Sequence, residues 1–172
     1  IPLQIRSTFA PNLPGTRIGF EAGAGLEKAG VVGFAGRRGV SMLRVLFREE
    51  ARADADTLVR ACLTQRGVEV FHSSQGVEGL CLLLIAKPGQ DALHAACDEV
   101  RRRLPGARVK LRENLAALLA LCRTTREVPK LAAAMEAAGV PVHHLVQTPP
   151  GALLCVNDSQ YETALRAAYD AR

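Results

Sequence analysis

The chain has no tryptophan and few aromatics of any kind, five Phe and two Tyr in 172 residues. Bases would find almost nothing to stack on. Nucleic-acid binding is therefore not expected, although 22 basic against 17 acidic residues give a formal charge of +5. The densest basic run, Arg101 to Arg103, falls in the last turn of a predicted helix, where cations complement the helix dipole and stay solvated. No apolar run approaches the roughly 18 residues that a spanning helix needs, and a signal peptide is not expected. A membrane protein is not expected. Five cysteines (Cys62, Cys81, Cys97, Cys122 and Cys155) are an odd number without C-x-x-C spacing, each within an apolar pattern. They are expected to be reduced core thiols of a cytoplasmic protein.

Catalytic signatures are scarce too. No G-x-x-x-x-G-K-[ST] occurs, and the glycines of "EAGAGLEKAG" do not form G-x-G-x-x-G, so no phosphate cradle is expected. No Ser or Cys nucleophile stands in a pattern with His and an acid. No catalytic residue, metal site or cofactor is assigned to this chain. The first residue is Ile1 rather than Met, and a piece of a longer protein is expected.

What is present is a repeat. In "RGVEVFHSSQ" and "AGVPVHHLVQ", Gly67, Val68, Val70, His72 and Gln75 recur as Gly139, Val140, Val142, His144 and Gln147, an offset of 139 − 67 = 72. The match reads without a gap from Leu43 and Leu46, paired with Leu115 and Leu118, to "LHAACDEV" paired with "LRAAYDAR". That is an internal duplication. A chain of this length buries roughly 70% of its unfolded surface, enough for two small modules sharing an interface.

The first module opens with a buried strand, "MLRVLF". A helix follows from an N-cap near Asp54 or Asp56, with Leu58, Val59 and Cys62 on one face, and stops at Gly67. Next come "VEVFHSS", with Val68, Val70 and His72 on one face, and "GLCLLLIA", apolar throughout. A second helix carries Leu93, Ala96, Cys97, Val100 and Leu104 at helical spacing and ends at Pro105-Gly106. The strand "ARVKLR" closes the module. The order βαββαβ predicts an α+β, ferredoxin-like fold. The second module supplies β (115–121), α, β (140–146), β (152–156) and α, the last from a capping box of Ser159 and Glu162. It lacks a fourth strand, and "GVVGFA" at 30–35 is expected to complete it, with the first module inserted in the second. Eight of the 25 residues from Gly15 to Gly39 are Gly, which reads as a connector.

His143 and His144 invite a metal reading. Neighbours on a strand point to opposite faces, so they are not expected to share an ion. His144 has the parity of Val140 and Val142 and reads, like His72, as the polar end of a core face. His143 is expected to face outward. Two such modules without catalytic groups suggest ligand binding at the loops after the first strands, 49–56 and 123–128, where helix N-termini attract carboxylates.

The segment "IPLQIRSTFAPNLPGTRIG" resembles the end of the kinase domain of aspartate kinases, with its I-P-[IL]-x-[IV]-R-[SN]-[TS]-F…P-G-T pattern. "VVGFAGRRGVSMLRV" is similar to the strand that follows there, and the rest resembles that family's tandem ACT modules. The resemblance implies 1–29 as the kinase-domain end and connector, 40–113 as the first ACT module, and 30–36 plus 114–172 as the second. It implies a homodimer through these modules, an amino-acid effector such as lysine or threonine, and a parent enzyme whose kinase domain phosphorylates the aspartate side chain with MgATP.

An effector site carried over from the family would involve Ala51, Arg52, Asp54, Glu69 and Gln75 in the first module, and Arg123, Pro141 and Gln147 in the second. Gln75 matches the family. Glu69 stands where it has Asn, and "ARAD" at 51–54 replaces a D-x-P-G turn, losing the backbone access that glycine gives. In the second module the G-x-G-[ML] loop is shortened to "CRTTREVPK", Pro141 removes a backbone donor, and "QTP" replaces T-S-E. Weakened, altered or absent feedback is expected. An amino-acid-sensing pair from another enzyme or regulator, and a purely structural dimerisation module, are the alternatives.

Overall fold

In the computed structural model, residues 3–5, 8, 16–18, 30–47, 52–76, 79–122, 126–148 and 151–171 are described. A two-stranded antiparallel pair, β1 (Leu3–Ile5) and β2 (Thr16–Ile18), precedes the main body. Then come β3 (Val31–Leu46), α1 (Arg52–Gln65), β4 (Glu69–Gln75), β5 (Gly79–Ile85), α2 (Gln90–Arg103) and β6 (Arg108–Cys122). The chain continues through α3 (Glu127–Ala137), β7 (His144–Thr148), β8 (Gly151–Asn157), a 3-10 turn Asp158–Gln160 and α4 (Tyr161–Asp170).

Six strands form one antiparallel sheet in the order β4-β5-β3-β6-β8-β7. Two long strands hold it together. The C-terminal part of β3 pairs with β5 and with 108–112 of β6, and its N-terminal part pairs with 117–122 of β6. The 115–121 part of β6 also pairs with β8. Each half thus has the strand order of a ferredoxin-like βαββαβ unit, and each long strand serves both halves.

A strand that changes halves must keep its apolar side chains on the helix-bearing face, and two register shifts achieve this. Between Arg37 and Val40 the extra residue is on β3, with Gly39 at φ 67; between Val40 and Met42 it is on β6, with Asn114 at φ 55. Leu43 and Val45 then pack under α1 and α2, while Phe34, Leu118 and Ala120 pack under α3 and α4. The remaining face carries Val40, Met42, Leu83, Leu115, Ala117, Leu153 and Cys155, all buried although they do not pack with the helix-side cores. They are covered because the sheet curls. The edge strands β4 and β7 meet across this middle layer, Ser74 Oγ lying 3.1 Å from His144 Nε2.

Several local expectations match. Leu93, Ala96, Cys97 and Val100 are buried on α2, and the described cysteines are free, Cys62, Cys97, Cys122 and Cys155 being buried. Gly67 and Gly139 end α1 and α3 at φ 69 and 66 with the same pair of bonds: Gly67 N–H to Thr64 O and Val68 N–H to Leu63 O, repeated by Gly139 to Glu136 and Val140 to Met135. A left-handed residue there lets the chain satisfy the last helical carbonyls.

Others need correction. The duplication is not gapless. Leu43 pairs with Leu82, and Leu82's counterpart, Leu154, pairs with Leu118. The offset in the first strand is therefore 118 − 43 = 75, and Leu115 faces the middle layer rather than helices. α1 begins at Arg52, so Asp54 and Asp56 lie inside it instead of capping it. Ser159 sits in the 3-10 turn, and α4 starts with Gln160 as its N-cap, without a side-chain cap bond. A register shift between Val70 and His72 turns His72 away from Val68 and Val70, against Leu83 of the middle layer.

Candidate functional site

The middle layer is apolar at its centre and polar where β4 and β7 approach each other. There Arg44, an exposed cation in the strand "MLRVLF", lies on the same face as Met42, because Leu43 and Val45 take the helix side. Its Nη2 donates to the carbonyl of His143 at 2.7 Å, tying one half to the other. A cavity of about 530 Å³ opens beside it, lined by Arg44, Leu46, Ser74, Gln75, Cys81 and His144, with Gly76, Gly79 and Leu80. A guanidinium, a side-chain amide, a hydroxyl and an imidazole together suit a small polar molecule with a carboxylate, for which a guanidinium is the natural partner.

His144 and His72, the echo pair, both face this layer. Burial holds the His144 imidazole below the ordinary histidine range, with Arg44 and then His72 adding to the effect; burial alone lowers His72. A desolvated imidazole beside a cation resists protonation. Burial pushes Cys155 to about 12 and Cys97 to about 11, and it raises Cys81 against the opposing pull of Arg44 and Ser74. A thiol raised in this way is not activated as a nucleophile. Among the described residues, no group of three or more His, Cys, Asp or Glu could hold a metal ion.

The effector residues expected from the sequence are distributed as follows. Gln75 ends β4 and is the one that lines this cavity. Glu69, at the other end of β4, pairs with Lys87 at 2.7 Å, and that cation holds its carboxyl below the usual range. Six strand steps separate the two, roughly 20 Å. Asp54 is exposed in the first turn of α1, and Arg52 opens that helix. Pro141 is exposed ahead of β7 beside a separate cavity of about 590 Å³ with Ala132, Glu136 and Val142. Gln147 is exposed on β7 opposite Ala152. Ala51 and Arg123 lie outside the described residues.

The sequence reading missed Arg44, Ser74 and His144 as neighbours. The available signal was a charge in the middle of an otherwise apolar strand. His143 also needs correction: it is half-buried rather than outward, because 140–143 is not strand and the run after Pro141 turns both histidines inward. Arg112 Nη1 meets His143 Nδ1 at 2.7 Å, and His143 Nε2 meets Asn157 Oδ1 at 2.7 Å.

No protein-family model and no curated protein matches the sequence. Solved structures do match. The aspartate kinase of Clostridium acetobutylicum superposes with a TM-score of 0.85 at 18% identity, over 99% of this chain and 41% of that one. The regulatory subunit of aspartate kinase from Thermus flavus gives 0.69 at 21% identity over 83% of this chain and 99% of that one. The fold is that of an aspartate kinase regulatory region. Aspartokinase III of E. coli, solved with lysine and aspartate, gives 0.65 at 15% identity over 99% of this chain and 39% of that one. The chain thus spans about two fifths of the whole kinases that it matches and nearly all of the separate regulatory subunit.

Proposed function

We propose that this chain is the regulatory region of an aspartate kinase, a cytoplasmic enzyme, in which 40–113 form one ACT module and 30–36 with 114–172 form the other. It binds an amino-acid effector, lysine or threonine, forms a homodimer through its ACT modules, and biases a kinase domain that phosphorylates aspartate with MgATP. The observation that carries the reading is the pair of long strands shared by two ferredoxin-like halves, matched over 99% of the chain by a whole aspartate kinase at a TM-score of 0.85. Shared strands suit regulation, since an effector that shifts one half must shift the other; such coupling is typically about 1 to 3 kcal/mol.

Feedback is weaker than in relatives with intact loops. From the residue at the end of the first strand that packs on the helix-side core to the core of the first helix, Phe47 to Val59 is 12 residues in the first module, and Cys122 to Leu131 is 9 in the second. The second loop is three residues shorter, and Pro141 has replaced a donor, so the first module with Gln75 is the sensing one.

Thermal unfolding with lysine, threonine, methionine, and lysine plus threonine tests this. A ligand at 100 times its dissociation constant adds about 2.7 kcal/mol, a rise of about 5 to 10 °C for a chain of this size. A rise that Gln75→Ala abolishes supports sensing through the first module. No rise with any of the four, for a folded dimer, rejects sensing and leaves assembly.

A further inference from the structure

A second cleft lies at the other side of Arg44, along 108–112 of β6. Among the described residues that stretch pairs with β3 alone, because β8 joins β6 only from Leu115 onward. The segment Val142–His143 crosses opposite this stretch and encloses a cleft of about 650 Å³. Val109 and Leu111 turn toward the helix-side core, so Lys110 and Arg112 alternate onto the face shared with Arg44. The register sets Arg44 directly opposite Lys110. Like charges in directly opposed positions destabilise a sheet, and Arg112 adds a third on the same face.

Among the described residues no carboxylate pairs with any of the three. Arg44 rests on a backbone carbonyl at 2.7 Å. Arg112 rests on His143, the first link in a relay of neutral groups: His143 to Asn157 Oδ1 at 2.7 Å, Asn157 Nδ2 to Gln160 Oε1 at 3.0 Å, and Gln160 Nε2 to Gly139 O at 3.2 Å. With His143 as the Nε2–H tautomer, every donor in the relay points away from Arg112. The relay orients the guanidinium without cancelling its charge. Glu113 is turned to the opposite face, onto His94 at 3.0 Å. Arg101, the remaining cation of the cleft, is paired with Asp98.

We propose that this cleft binds a di- or triphosphate group, inorganic or carried by a nucleotide. Three cations converging on one small volume call for a compact anion of several charges; a single carboxylate would leave most of the repulsion in place. Guanidinium forks match phosphate oxygens two at a time, and the lysine adds a point charge. The cleft shares Arg44 with the cavity at Gln75, but Lys110 and Arg112 line this cleft and not that cavity, so the Lys110 test does not depend on the effector assignment.

Calorimetric titration of the 172-residue chain with pyrophosphate, ATP and AMP tests it. Lys110 is exposed and has no side-chain partner among the described residues, so Lys110→Gln should leave the fold unchanged, which circular dichroism checks. Arg166, exposed on α4, is the control. Pyrophosphate or ATP should bind, with affinity falling about ten-fold in Lys110→Gln, unchanged in Arg166→Gln, and weakening as salt rises. ATP binding more tightly than pyrophosphate would identify a nucleotide source, and equal affinities an inorganic one. AMP should bind much more weakly than either. Absence of binding by both polyphosphates, or equal loss in Lys110→Gln and Arg166→Gln, overturns the proposal.

Discussion

The two halves of the sheet descend from one pattern and differ most where each leaves its first strand. Beyond that strand the correspondence is regular: Val59 with Leu131, Leu63 with Met135 and Ala96 with Ala168 are buried partners at an offset of 72. In the first strand the offset becomes 75, with Leu43 equivalent to Leu118 and Val45 to Ala120. Glycines fix the same register independently. A Cβ on Gly79 would collide with the carbonyl oxygen of Val45, and one on Gly151 with that of Ala120. The difference teaches that the duplicated core was kept while the strand-to-helix connection differs by three residues between the copies.

The largest effect should come from the core. Leu43→Ala and Leu118→Ala each delete a fully buried side chain from equivalent positions under different helix pairs, and each should cost about 2 to 5 kcal/mol. Because β3 and β6 run through both halves, each variant should still unfold in one transition, seen at the same denaturant concentration by probes in either half. Two separated transitions would show that the halves fold independently and that the shared strands do not couple them.

Next in size, Gly79→Ala and Gly151→Ala should each cost about 1 to 3 kcal/mol, since backbone must move to admit the methyl group. Equal losses in urea titrations support the offset of 75. A neutral result at either glycine would mean that strand register there is adjustable, and that the two halves are less alike than their pairing indicates.

The failure to read this register from sequence has a physical origin. The run from Leu115 to Leu118 is buried on both faces, so alternation carries no information and a shift of three residues leaves leucine on leucine. Where only one face is buried the reading succeeded: α2 shows its stripe of Leu93, Ala96, Cys97 and Val100 directly, and the glycine caps at 67 and 139 were visible as repeated letters. The candidate site was half legible. Gln75 could be named from its resemblance, but its neighbours Arg44, Ser74 and His144 come from three strands and both halves. Only the curl of the sheet brings them together, and no local pattern encodes that curl.

The smallest effect separates the two echo histidines from the rest of the molecule. His72 and His144 both have folded values below the ordinary histidine range near 6.5. Between those depressed values and 6.5 the unfolded chain binds more protons than the folded one, so stability rises with pH. The contribution is fully present above the ordinary value and is lost as pH falls through the depressed ones. Melting temperature should therefore drop on acidification below about pH 6.5, before carboxylates dominate. His144 has Arg44 as well as burial against its charge, whereas His72 has burial alone, so His144→Gln should flatten the profile at least as much as His72→Leu. If neither substitution alters the slope, protonation is being accommodated by opening between the two edge strands, and the contact of Ser74 with His144 is too weak to hold the halves together in acid.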